Sequence, residues 1–465
     1  MNMFSSFFAV IMLAAGCFLS GKTGFFQLSH IGASIKTALG FDAQKGQKAK
    51  KDGSGVSSFQ ALSTALGGSI GTANIAGVAG AIAIGGPGAV FWMWIAAFFG
   101  MGAKYAEIVL AIKYRERRNG SWNGGPMLYI ENGLSKRGGL LRSMSRPLAI
   151  GFALFGTASA LIGTTLVQSN TIAMSILDAV HIYYPDTNSV TIRVISGLLV
   201  ALLVGIVIIG GVSRISRASE LVVPFMAVAY LVVCCIVLFN FRANIGRAFI
   251  SIIQGAFGAR QMLGGTVGFG FTQAFRTGIA RGVYSNEAGI GSAPMAYAQA
   301  STSDPVKQGM YGIFEVFADT VVMCTMTALV VLASGISVPY GNFGVSGTQI
   351  ALNAFSTVMP AKVAGLFLAI SMLLFAFTSI LGWSVYGIQC IKYLFGEKSI
   401  KPFCIVYSAF IFVGALLRVD IVWKAGETLN YLMAIPNLFA VMLLSSEVRR
   451  MTQEFTKFEL KKRRR

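Results

Sequence analysis

Apolar runs of about 20 residues or longer recur from one end of this chain to the other, and that recurrence restricts its fold more than any motif does. A run of this length crosses the hydrocarbon of a bilayer as a helix, which satisfies all its backbone polar groups internally. The alternative is a barrel of alternating strands about ten residues long, and the sequence contains no such pattern. Of 465 residues, 55% are apolar and only 12% are charged, a balance foreign to soluble domains. The chain therefore reads as an all-α polytopic membrane protein with about eleven transmembrane helices. The expected spans are roughly 3–20, 57–83, 87–113, 148–178, 191–212, 218–240, 262–290, 306–335, 361–395, 402–418 and 422–445. Residues 40–56 form a polar linker of low complexity.

The net charge of +20 invites comparison with nucleic-acid binders, but its placement argues topology instead. Counted in alternate loops, 28 Lys and Arg fall on one side and 7 on the other, with Lys104, Arg276 and Arg281 inside spans. Positive loops stay in the cytoplasm, so the N-terminus is expected outside and the C-terminus inside. The run Lys461-Lys462-Arg463-Arg464-Arg465 then anchors at anionic lipid, and no nucleic-acid partner is expected. Leu13-Ala14-Ala15-Gly16-Cys17 imitates a lipoprotein signal, yet no basic residue precedes it, which favours an uncleaved span. Cys17, Cys234, Cys235, Cys324, Cys390 and Cys404 all lie in apolar segments, where they act as small hydrophobes. With only His30 and His181 besides, a His/Cys metal centre is not expected.

The span 57–83 is anomalous. As one helix it would measure about 40 Å, more than a ~30 Å hydrocarbon core requires. Its middle reads Gly67-Gly68-Ser69-Ile70-Gly71-Thr72-Ala73-Asn74, and each glycine costs about 1 kcal/mol of helix propensity relative to alanine. Two readings are open. The glycines make a small-residue packing face, or the helix breaks and offers backbone groups to a ligand. Gly264-Gly265-Thr266-Val267-Gly268-Phe269-Gly270-Phe271 repeats the pattern in a later span. Each motif opens a set of five spans once the N-terminal helix is set apart. Paired glycine-interrupted spans point to an inverted-repeat secondary transporter with its site between them. The corresponding division is 1–56 for the extra helix and linker, 57–240 and 241–446 for two five-helix repeats, and 447–465 for a basic cytoplasmic tail.

Longer blocks carry a resemblance. They are SFQALSTAL (58–66), GTANIAGV (71–78), GGPGAVFWMW (85–94), Gly100-Met101 with Lys104 to Glu107, GGPMLYI (124–130), ARGVYSNEAGIGSAP (280–294), Asp319-Thr320 and Cys324-Thr325. Through these, in order over nearly the whole chain, the protein resembles the alanine or glycine:cation symporter family of sodium-coupled amino-acid carriers. The resemblance implies a leucine-transporter-type 5+5 inverted-repeat core with two broken helices, preceded by one extra helix, in the bacterial cytoplasmic (inner) membrane. It implies a small neutral amino acid, Na⁺ and the lipid bilayer as partners, with no organic cofactor and no enzyme activity. The family usually shows Gly-Thr-Gly-Asn where this chain has Gly71-Thr72-Ala73-Asn74, and one added methyl is worth roughly 1 kcal/mol of contact or clash.

The chemistry of a zwitterion then suggests the site. Amides at a positive helix end suit the carboxylate, so Gly71, Thr72 and Ala73, with the side chains of Thr72 and Asn74, are the expected substrate contacts. Asn74 has a second reading, as a cation ligand through its amide oxygen. The resemblance further implies a sodium site from the carbonyls of Gly67 and Ile70 and the hydroxyls of Thr378 and Ser379. The competing reading is that both hydroxyls bond carbonyls of their own helix. Gln168 is either a substrate contact or an interhelical hydrogen bonder, and Trp383 either roofs the pocket or packs. Phe271 and Thr272 are expected on the opposite wall. Lys104 and Glu107, at i and i+3, are expected to pair. Arg276, Arg281, Glu287, Glu315 and Asp319 suit gating or structural pairs, and Asp319 is the candidate carrier if H⁺ couples instead of Na⁺. A channel is disfavoured by the paired breaks, and no Walker motif indicates a pump.

Overall fold

Helices form where the apolar runs lie, and a computed structural model describes them over residues 3–40, 55–118, 120–257, 267–341, 346–417 and 419–463. The first are α1 (Met3–Lys22), α2 (Phe26–Ser29) and α3 (Ile31–Ala38). α4 (Ser58–Ser69) begins at a capping box: Gln60 N–H donates to Ser57 Oγ at 3.0 Å and Ser57 N–H to Gln60 Oε1 at 2.9 Å. It ends at Ile70, whose backbone is extended, and a 3₁₀ turn at Thr72–Asn74 leads into α5 (Ala76–Gly85). α6 (Gly88–Tyr114) is followed by the hairpin β1 (Glu116–Arg118) and β2 (Ser121–Asn123) and by α7 (Pro126–Ser135). α8 (Gly139–Ala158) continues through a π-helical segment, Ser159–Thr165, into α9 (Leu166–Tyr183). Then come α10 (Ser189–Ile209), α11 (Gly211–Asn240) and α12 (Arg242–Ala256).

The second half starts with α13 (Val267–Asn286) and the one-turn α14 (Pro294–Tyr297). α15 (Pro305–Val316) passes through π turns at Phe317–Cys324 into α16 (Thr325–Ala333). α17 (Gly347–Phe355), α18 (Ala361–Phe395), α19 (Ile400–Leu416) and α20 (Val419–Arg463) complete the chain. Among the described residues eight helical stretches are long and apolar enough to cross a membrane, and Phe7–Lys22 and Ala76–Gly85 are shorter apolar helices. The expected eleven spans also count 57–83, which the structure divides into α4 and α5, and 262–290, whose helix α13 is not among the eight.

One expectation about the chain's course needs correction. Of the second glycine motif, residues 264–266 lie outside the described residues, and Val267–Phe271 are the first turns of an unbroken α13. The interruption falls instead at 287–293, between α13 and α14, where Glu287 (φ 54), Gly289 (φ 87) and Gly291 (φ 85) take left-handed backbone. Three such residues in one stretch cannot continue a right-handed helix, whereas scattered glycines only weaken one. α20 carries the chain as helix through residue 447 to Arg463.

Packing places both breaks in the centre. α6 lies against α13 and α15, α9 against α18, α10 against α19, and α4 against α11 and α18. The apolar stretch of α6 is 83% buried while that of α11 is 33% buried, so α6 is central and α11 forms the rim. At one end of the bundle the segments flanking the breaks are tied together. Val56 N–H donates to Gln299 O at 3.1 Å and Ser301 N–H to Val56 O at 2.8 Å. Arg115 stacks on Trp122 at 3.8 Å and donates to the carbonyls of Ala298, Ala300 and Thr302.

The small-residue reading of the first motif holds for part of it. A Cβ on Gly68 would come within 2.5 Å of Tyr386 Oη, and one on Gly382 within 2.7 Å of Gly68 Cα. α4 and α18 thus meet backbone to backbone there. Gly382→Val should therefore destabilise the purified protein by about 1–3 kcal/mol, read as a lowered melting temperature in detergent. An unchanged melting temperature would contradict this contact.

Candidate functional site

The break between α4 and α5 gathers most of the expected site residues. Gly71 sits at its centre with extended backbone (φ −133, ψ −163). A Cβ there would lie 2.8 Å from Ser379 Oγ and 3.1 Å from Gln168 Nε2, so the glycine is required by close approach from two helices. Thr72 Oγ1 donates to Gln168 Oε1 at 3.2 Å. Asn74 N–H donates to Gly71 O at 3.1 Å, making the first hydrogen bond of the 3₁₀ turn and leaving the amides of Thr72 and Ala73 ahead of it. Ala73 is buried, with its methyl beside Gly77.

On the other side of the break stands the hydroxyl pair of α18. Ser379 Oγ donates to Ile70 O at 3.5 Å. Gly67 packs on Thr378, a Cβ at Gly67 falling 3.3 Å from Thr378 O and 3.4 Å from its Cβ. The four residues expected around a cation are therefore brought together. Thr378 Oγ1 donates to its own helix at Phe375 O (3.0 Å) and Leu374 O (3.1 Å). The reading that both hydroxyls bond their own helix thus describes Thr378, whereas Ser379 turns to Ile70 O. A hydroxyl that donates inward keeps its lone pairs available to a cation.

Asn74 is committed elsewhere. Its Oδ1 accepts from Gly71 N–H at 2.9 Å, and its Nδ2 donates to Asp319 Oδ1 at 2.7 Å. Asp319, fully buried on the π-helical segment, also accepts from Ser285 Oγ and Thr320 Oγ1, both at 2.8 Å. Asn74 therefore fixes the unwound strand to the second half of the chain. π turns widen a helix and redirect its side chains, which is how Asp319 reaches this position.

Two expected placements differ, and Trp383 takes its packing reading. Phe271 is exposed and packs on Trp92 and Phe275, ring centroids 5.7 and 6.2 Å away. It lies about 21 Å along α13 from Ser285, so it and the half-buried Thr272 beside it are not brought to this break. Trp383 is buried and donates from Nε1 to Glu287 Oε1 at 2.8 Å, in the second break. Lys104 does not pair with Glu107; its Nζ reaches Glu315 Oε1 at 3.1 Å. The i, i+3 spacing permits a pair within α6, but α15 packs on α6 and supplies a carboxylate from outside. Arg281 reaches Glu427 at 3.9 Å. Ser285 escaped the sequence reading because one serine in an apolar span gives no signal by itself.

Known proteins align with this chain along its length. The model of the sodium:alanine symporter family matches residues 1–465. The chain is 40% identical over 447 residues to the sodium/alanine symporter AgcS of Methanococcus maripaludis, covering 96% of this chain and 93% of that protein. It is 35% identical over 450 residues to the putative sodium/proton-dependent alanine carrier protein YrbD of Bacillus subtilis, covering 94% and 86%. Its fold is similar to the crystal structure of MhsT in complex with L-phenylalanine, with a TM-score of 0.51 and 12% identity, over 84% of this chain and 89% of that one. That likeness bears on the fold, which is of the leucine-transporter type. With a match over its whole length and a relative at 40% identity, the chain belongs to the sodium:alanine symporter family.

Proposed function

We propose that the protein is a secondary symporter that imports a small neutral amino acid, alanine or glycine, with Na⁺ by alternating access. One observation carries this reading: substrate-type and cation-type groups share a single unwound segment. The amides of Thr72 and Ala73 at the start of the turn suit a carboxylate, and Gln168 and Thr72 border the same space. Ile70 O accepts from Ser379 Oγ and Gly67 packs on Thr378, and carbonyls at the negative end of α4 suit a hard cation. Occupying one side of the break changes the backbone of the other, which is the coupling a symporter needs.

Asn74 acts here as a positioning residue that holds Gly71 through its amide. Ala73 narrows the approach to the turn by one methyl. The two repeats, 57–240 and 241–446, rock against each other about the paired breaks. The basic-residue count places the C-terminus in the cytoplasm and the N-terminus outside. H⁺ coupling is the second reading, favoured by Asp319, a buried carboxylate held by three neutral donors at the same break.

Reconstituted in liposomes, the protein should accumulate labelled alanine under an imposed inward Na⁺ gradient. Uptake driven only by a proton gradient would replace the Na⁺ reading with the H⁺ one, and no uptake of any small neutral amino acid would remove both. Thr378→Ala combined with Ser379→Ala should raise the Na⁺ concentration for half-maximal uptake roughly tenfold, about 1.4 kcal/mol. A wild-type Na⁺ response from that double variant would displace the cation from this position. Ala73→Gly should relax selection for size, improving KM for a bulkier neutral amino acid about fivefold, roughly 1 kcal/mol of relieved contact. This is checked by competition against labelled alanine.

A further inference from the structure

The second break is surrounded by a buried charge cluster that the proposed transport site does not use. Lys104 and Glu107 come from α6, Glu315 from α15 and Glu287 from the break itself, and all four are buried. Three carboxylates thus face one ammonium in the interior of a membrane-spanning bundle. Net negative charge at such depth is costly unless a proton or a cation neutralises it.

Hydrogen bonding distinguishes the three carboxylates. Glu315 is fully served: Lys104 Nζ donates to Oε1 at 3.1 Å and Tyr297 Oη to Oε2 at 2.9 Å. Glu287 is also served, by Trp383 Nε1 at 2.8 Å on Oε1 and Ser292 Oγ at 2.6 Å on Oε2. Glu107 is not. Its Oε1 accepts from Asn437 Nδ2 at 2.5 Å, while its buried Oε2 has no hydrogen-bond partner. An ionised carboxylate with one oxygen unserved is the most expensive of the three to keep charged.

We infer that Glu107 is a proton-binding site, holding an exchangeable proton on Oε2 that neutralises the cluster and latches the second break. The latch runs through Asn437, whose Nδ2 donates both to Glu107 and to Gly289 O at 2.9 Å, and whose Oδ1 accepts from Tyr129 Oη. Gly289 is one of the left-handed residues that interrupt the helix. The groups facing Glu107 are Lys104 on its own helix, Glu315 on α15, Glu287 in the break, Tyr129 on α7 and Asn437 on α20. The next charged pair along the α6–α20 contact is Lys113 with Glu447. A bound metal cation fits less well, since a hard cation requires several oxygen ligands and every other carboxylate oxygen here already accepts a hydrogen bond. Losing the proton strengthens the Asn437 hydrogen bond to Glu107 but leaves three ionised carboxylates facing one ammonium, so like-charge repulsion strains the second break as pH rises. Tyr386 Oη, buried without a partner and pressed against Gly68, adjoins this cluster through the ring contact of Tyr386 with Trp383 at 5.4 Å. It connects the latch to the helix that carries the cation-type carbonyls.

The test is infrared spectroscopy of the full-length protein in lipid, with and without Glu107→Gln. The wild type should show the carbonyl stretch of a protonated carboxylic acid shielded from exchange, lost in E107Q and unaffected by Asp319→Asn. A wild-type spectrum without that band, or a band that survives in E107Q, would overturn the assignment. Should E107Q fail to fold, Glu107→Asp should shift the band, and an unshifted band would count equally against it. Uptake of alanine should fall several-fold between about pH 6 and about pH 9 in the wild type and stay level in E107Q. Only this uptake arm rests on the symport reading; the spectrum judges the proton site even if no substrate is moved.

Discussion

A backbone amide or carbonyl inside a bilayer must find a partner, and the architecture of this protein follows from where that rule is suspended. Nearly every residue in the described spans meets it by helical hydrogen bonding. At Ile70–Ile75 and 287–293 the ladder stops. The structure spends its polar side chains on those two places. Asn74, Ser285, Thr320 and Asp319 surround the first, while Ser292, Trp383 and Asn437 serve the second. Both lie among the central helices, because only a protein-lined interior supplies such partners.

The same economy governs charge. Lys104 and Glu315, both inaccessible to solvent, stand as a pair across α6 and α15. A buried pair of this kind contributes little net stability compared with an apolar substitute, yet breaking it is severe. Its effect is to fix how two helices from different halves sit against each other. α18 serves both breaks, with Ser379 at the first and Trp383 one helical turn away at the second. That shared helix gives a direct mechanical route between the two interruptions, shorter than any path through the rim helices.

Much of this was legible from residue order. The spans coincide with helices to within a few residues at α6, α10 and α18, because a membrane helix is a long local pattern with one dominant physical cause. The Gly71 break was legible for the same reason: a glycine cluster spoils a helix locally. Of the second motif, the glycines at 268 and 270 weaken a helix without ending it, and residues 264–266 lie outside the described residues. The actual interruption required left-handed backbone at Glu287, Gly289 and Gly291, held by contacts from α18 and α20. α7, α12 and α17 were unreadable between the spans, being short helices stabilised by what they pack on.

The solvent, the helical class, the family and the place of the first break follow from residue order, since each depends on composition or on a contiguous pattern. Tertiary structure decided which partner each buried polar group takes. Lys104 turns to Glu315 and not to Glu107, Asn74 turns to Asp319, and Phe271 turns away from the first break. The choices of Lys104 and Asn74 are made across more than two hundred residues, where the distance along the chain says nothing and only the packing of helices brings donor and acceptor into hydrogen-bond reach.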